Sequence, residues 1–255
     1  MSLSARRVRD CKYSSPYLQY ASNLTSQGGE DGVLRVLLEE IGVIERGYCV
    51  DIGAWDGKHL SNTYNLINNY NWSGLLVEAD ANRHNEMSSL YQSRSDIVCL
   101  CALVDIQGDL GLKSIMINHN VPREFDFLSI DVDGADYHLW DSLKDCFSPK
   151  IVCIEFNPTI PNDVVFIQER DIRIQKGSSL LALKELAEAH GYILVVTTLF
   201  NAIFLKQEYL PKLKSKLPTD LNDFHSSSMV TEMFQCYDGN YSTSHHLSVY
   251  ENHYF

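Results

Sequence analysis

With 255 residues, 45% of them hydrophobic and 11% aromatic, the chain can bury one sizeable α/β core and has neither a disordered nor a fibrous composition. Its formal net charge of −12 and a pI near 5.1 oppose a phosphate backbone, and basic residues are scattered apart from Arg6, Arg7 and Arg9, so nucleic acid is not an expected partner. No apolar run approaches the ~20 residues that span a bilayer, and no hydrophobic leader follows the basic N-terminal residues, so the expectation is a cytoplasmic protein with no membrane partner.

The first ~20 residues lack periodicity and read as a loose extension. The segment SQGGEDG, residues 26–32, leads into Val33, Leu34, Leu37, Leu38 and Ile41 at helical spacing, which predicts a helix packed on the main domain. A strand over 48–52 then runs into Asp-x-Gly-x-x-x-Gly, Asp51 to Gly57. Gly53 and Gly57 remove side chains where the backbone turns sharply, and the helix predicted to follow, over 59–70, would offer unpaired N–H groups to an anion. Asp51 adds an acceptor for an ammonium group. The glycine spacing is neither that of a dinucleotide loop nor that of a phosphate loop. A second strand over 74–78 ends on Glu78, 27 residues after Asp51, where a carboxylate can accept hydrogen bonds from two ribose hydroxyls.

Further along, strands are expected over 97–104, 125–130, 150–156 and 192–197, and helices over 82–91, 136–146 and 179–190, the last capped by Ser178 and stopped by Gly191. Strands separated by helical crossovers form a mostly parallel sheet. The run TTLFNAIFLKQ leaves too little room for a crossover, so the last two strands should form an antiparallel hairpin. The fourth strand delivers Asp131, Asp133 and Asp136 within six residues, and the fifth delivers Glu155 and Asn157. These strand exits should meet at the carboxyl edge, where open α/β sheets bind ligands. Residues 157–177 form a long connection of the kind that covers a site. Cys49, Cys99, Cys101 and Cys153 lie in strand-like runs with no Cys-x-x-Cys and read as reduced core residues.

The acid-first glycine turn resembles motif I of class I S-adenosylmethionine-dependent methyltransferases, and DFLSIDVDGADY resembles an element of the FkbM-like members, with Asp133 and Asp136 where glutamates are usual. SQGGEDG is similar to an N-terminal element of related enzymes, with Gln27, Glu30 and Asp31 folded over the active face. The resemblance covers roughly residues 48–206. It departs at EADAN, residues 78–82, which lacks the proline often found after the acid. The resemblance implies a Rossmann-like, doubly wound seven-stranded sheet, mostly parallel with an antiparallel last strand. It divides the chain into an extension over 1–30, a methyltransferase domain over 31–206 and a C-terminal extension over 207–255, with a substrate cap, a homodimer contact and a packed tail as the open alternatives for the last.

It further implies S-adenosylmethionine as cofactor, held by Asp51, Gly53, Gly57 and Glu78 with the adenine passing Ala102, and a small polar molecule or glycoside as the partner methylated on oxygen. Two routes to the acceptor's proton stay open. Asp131 or His138 acts directly as the base, or Asp131, Asp133, Glu155 and Asn157 gather oxygen ligands around Mg²⁺. The alternative function is a catalytically inactive binding or scaffold module on the same fold, and a nicotinamide-linked oxidoreductase ranks third because the glycine spacing disfavours it.

Overall fold

The computed structural model describes residues 15–225, 233–235, 237 and 239–243. Seven strands form one sheet: β1 (Tyr48–Ile52), β2 (Ser73–Glu78), β3 (Ile97–Cys101), β4 (Glu124–Ile130), β5 (Ser148–Glu155), β6 (Tyr192–Thr197) and β7 (Asn201–Lys206). Their spatial order is β3-β2-β1-β4-β5-β7-β6. Strands β1 to β5 pair in parallel, and β7 runs antiparallel between β5 and β6. This is the Rossmann-like sheet with an antiparallel last strand that the sequence led us to expect.

Alternation along the strands explains why helices cover both faces. Cys49, Leu76, Phe127 and Cys153 bury against α1 (Glu30–Ile41), α2 (Tyr64–Asn69) and α3 (Ala81–Leu90). Val50, Leu75, Leu128 and Val152 bury against α4 (Leu112–Asn118), α5 (Asp136–Asp141) and α6 (Leu180–Ala189). Successive strand residues point to opposite faces, so a near-continuous apolar run serves two helical layers at once. Helix α1 packs through Val33, Leu34, Leu37, Leu38 and Ile41 as its spacing predicts.

Several boundaries differ from expectation. The helix predicted over 59–70 begins only at Tyr64, because Asp56 Oδ1 accepts from the N–H groups of Lys58 and His59 and the Ser61 hydroxyl oxygen accepts from Thr63 and Tyr64. Such side-chain bonds compete with helix formation. They also occupy N–H groups that the sequence reading left open for an anion. Helix α4 has no counterpart among the predicted helices. Helix α6 is capped by Ser179, whose Oγ accepts from Ala182 N at 3.2 Å, and Ser178 lies one residue outside. Cys101 is exposed rather than part of the core. Within the stretch expected to be loose, Ser15 Oγ donates to the Val195 carbonyl and Tyr17 is fully buried. Of the C-terminal extension, His245, His246, Tyr250, His253, Tyr254 and Phe255 lie outside the described residues.

The turn after β1 has one steric requirement that sets the site. Gly53 has φ +85°, and a Cβ there would lie 1.8 Å from the carbonyl oxygen of Asp131. Gly53→Ala should therefore destabilise the fold by about 2 kcal/mol or more, since both the backbone conformation and the approach of β4 resist a methyl group. Urea denaturation with an unchanged midpoint would contradict this packing.

Candidate functional site

Strands β1 and β4 are neighbours, and the chain winds outward from them in both directions. Ligands bind at this topological switch point because the diverging loops leave a crevice beyond the carboxyl ends. Here that crevice is a cavity of about 570 Å³, a volume suited to a small molecule. Asp51, Gly53, Glu78, Ala102, Asp131, Asp133 and Glu155 all line it. Seven residues chosen from strand ends thus come together in space.

The other candidates have different surroundings. Gly57 has φ +77°, and a Cβ there would meet Tyr91 and Met87 of the adjoining helical layer. It shapes the turn without lining the cavity. His138 sits on α5 with Nε2 2.8 Å from the Gln168 carbonyl, tethering the long 157–177 connection instead of facing the cavity. Asn157 donates to the Lys176 carbonyl and accepts from Thr159 N at 3.0 Å, so its amide closes the base of that same connection. Asp136 accepts from Val132 N and Gly134 N and holds the loop between β4 and α5.

Each acid at the cavity has its own setting. Asp51 is buried, and its Oδ2 accepts from the Thr63 hydroxyl at 2.6 Å. Burial pushes its carboxyl group up to about 6, although the Thr63 and Ser129 hydroxyls pull the other way. Glu78 accepts from Trp55 N at 2.8 Å through Oε2 and from Asp80 N at 2.7 Å through Oε1. Two backbone donors thereby fix the plane of this carboxylate while leaving further lone pairs for a ligand. Oxygen atoms of Asp131, Asp133 and Glu155 lie within 4.8 Å of one another. No lysine or arginine lines the cavity among the described residues. Burial first, and then the neighbouring carboxylates, raise Asp131 to about 7 and Glu155 still further. Hard oxygen donors in this arrangement suit a cation as well as a shared proton. Asn157 is not among them.

The SQGGEDG segment divides its duties. Gln27 lines the cavity, whereas Glu30 accepts from Thr198 Oγ1 and Asn201 Nδ2 and Asp31 accepts from the N–H groups of Leu24, Thr25 and Ser26. These two acids anchor the segment and do not reach the cavity. Ile172 of the long connection and Phe200 of the β6–β7 turn complete the wall.

Sequence reasoning missed Trp55, His59, Asn62 and Ser129, which also line the cavity. Ser129 was within reach, because it precedes Asp131 by two residues and strand periodicity puts both on one side. Asn62, whose Nδ2 lies 3.2 Å from Ser129 Oγ, was hidden inside a helix that does not form there.

No family model matches the chain, and no curated protein matches it. Solved structures do. They include the N-terminal domain of EvdMO1, studied in the presence of SAH and D-fucose, at 10% identity over 69% of this chain and 82% of that one with a TM-score of 0.45. An S-adenosylmethionine-dependent methyltransferase from Clostridium acetobutylicum matches at 10% identity over 69% and 89% with a TM-score of 0.41. A candidate sarcosine dimethylglycine methyltransferase from Galdieria sulphuraria matches at 14% identity over 71% and 66% with a TM-score of 0.41. The chain therefore spans about two thirds of the Galdieria protein.

The raised carboxyl groups make the site's charge a stability term. Below the ordinary carboxylate range Asp131 is protonated in both folded and unfolded chains. As pH rises toward 7 the unfolded chain releases that proton while the folded chain retains it, so the contribution of this group to stability falls. Asp131→Asn should then raise the melting temperature of the ligand-free protein by about 2–6 °C at pH 8 and by much less at pH 5. Thermal melts with the same gain at both pH values would count against the raised carboxyl group.

Proposed function

We propose that the protein is an S-adenosylmethionine-dependent methyltransferase acting on oxygen of a small polar molecule or glycoside. The observation that carries this reading is the division of one cavity between a cofactor-like half, Asp51 and Glu78 around the Gly53 turn, and an acid cluster after β4 and β5. The FkbM-like character of the β4 exit supports it.

In this reading the bound cofactor supplies an electrophilic methyl group on a sulfonium. Asp51, kept in place by the Thr63 hydroxyl, accepts from the ammonium of its methionine half. Glu78, fixed by two backbone N–H groups, uses its free lone pairs for the ribose hydroxyls. Ala102 leaves room for the adenine face, and Gln27 and Ile172 close over the ligand to exclude water. Asp131 takes the proton of the attacking hydroxyl. No hydrogen-bond donor faces its carboxylate among the described residues, and its affinity for a proton is brought toward neutrality by burial and by Asp136 and Asp133, which is where a general base works best. His138 is engaged with Gln168, which leaves the base to Asp131.

A second reading of the acceptor half follows from the converging oxygens. Asp131, Asp133 and Glu155 would hold Mg²⁺, which would acidify the acceptor hydroxyl; Asn157 takes no part.

Two measurements test these assignments. Asp51→Ala and Glu78→Ala should each weaken S-adenosylhomocysteine binding by about 1.5–3 kcal/mol in calorimetry, the range for a lost charge-assisted bond, and unchanged affinity in both would remove the cofactor from this cavity. With labelled S-adenosylmethionine and a panel of polyols and glycosides, Asp131→Asn should cut turnover by about 100-fold or more while retaining cofactor affinity. Full activity after exhaustive chelation would eliminate Mg²⁺. An inactive scaffold would instead bind the cofactor and transfer nothing to any acceptor.

A further inference from the structure

Trp55 is the residue of this cavity that neither core packing nor the chemistry above explains. It has φ 51°, a left-handed conformation that a bulky side chain adopts only under strain. The residue is 45% exposed and forms part of the cavity wall. The other two tryptophans, Trp72 and Trp140, are 0% and 2% exposed. A glycine two residues after Gly53 would suit this turn without strain. The chain instead places a tryptophan there and leaves the residue exposed. Strain combined with exposure at a cavity mouth points to a ligand, because folding alone gains little from either.

One contact holds the backbone of Trp55 and another faces its ring. The Trp55 N–H donates to Glu78 Oε2 at 2.8 Å, so the backbone under the indole is tied to the acid assigned to the ribose. On the ring itself, the Arg83 guanidinium lies 4.6 Å from the indole centroid and is held by Glu86 at 2.8 Å. Arg83 does not line the cavity, whereas Trp55 does. The cation therefore backs the indole, and the rest of the ring is available to the cavity.

We propose that Trp55, backed by Arg83, is a ligand-contact residue that packs against the nucleoside half of the adenosyl ligand held by Glu78. This rests on the reading of the cavity as an S-adenosylmethionine site. A planar purine is the part of that ligand with a face to offer an indole, and the hydrogen bond between Trp55 and Glu78 places the ring beside the sugar that carries the purine. Ordering of the indole is then coupled to occupancy at Glu78.

The test uses the full chain and the fact that Trp55 is the exposed tryptophan. Acrylamide-quenchable emission should come from Trp55, and saturating S-adenosylhomocysteine should remove most of it; adenosine should do the same and methionine should not. Trp55→Gly suits the backbone and deletes the ring, so it should fold and bind S-adenosylhomocysteine about tenfold more weakly. Trp55→Phe should recover affinity to within about threefold. Quenching unchanged at saturation, or a glycine variant that binds as tightly as wild type, overturns the role of Trp55 while leaving the cavity assignment standing. Wild-type protein that fails to bind S-adenosylhomocysteine at all overturns both.

Discussion

The carbonyl of Asp131 lies so close to the turn after β1 that only glycine fits at position 53. Gly53 N donates to the Val77 carbonyl and Asp131 N donates to the Ile52 carbonyl, so the ends of β1, β2 and β4 are locked together at one point. From that point the acids are distributed: Asp51 just before the turn, Glu78 at the end of β2, and Asp131 at the exit of β4. A side chain at position 53 would push β4 away and separate the two halves of the cavity. The geometry of the site is therefore a consequence of backbone packing at the switch point.

The second constraint is electrostatic. Five carboxylates line a cavity that no lysine or arginine enters among the described residues. Burial raises Asp51, Asp131 and Glu155, which makes the cavity unfavourable for its own charges. Glu78 accepts from the backbone N–H groups of Trp55 and Asp80. The imbalance favours ligands that bring positive charge, and a sulfonium with an ammonium group is one such ligand. It also gives the acid cluster a proton affinity suited to base catalysis near neutral pH.

Much of this arrangement was legible in the sequence because strand ends follow from simple periodicity. Asp51, Glu78, Asp131 and Glu155 each close an apolar run, and the carboxyl edge of a parallel sheet gathers such residues without further information. What sequence could not supply was the use made of each polar group once loops fold. His138 and Asn157 stand at the same edge by position but spend their side chains on carbonyls of the 157–177 connection. Gly57 is required by Tyr91 and Met87, a contact between residues 30 and more apart that no local pattern encodes. The region 58–63 carries helix-compatible residues, yet Asp56 and Ser61 capture N–H groups of Lys58, His59 and Thr63, and Asn62 lines the cavity while Thr63 bonds Asp51. Trp55 had no sequence signal beyond standing where a glycine would be easier.

The central claim is that one cavity at the ends of β1, β2 and β4 holds an S-adenosyl ligand. A crystal structure of the protein grown with S-adenosylhomocysteine tests it most directly. The account predicts electron density with the amino group against Asp51, the ribose against Glu78 and the sulfur facing Asp131. Density for the ligand elsewhere on the molecule, or an empty cavity at saturating ligand, would contradict it.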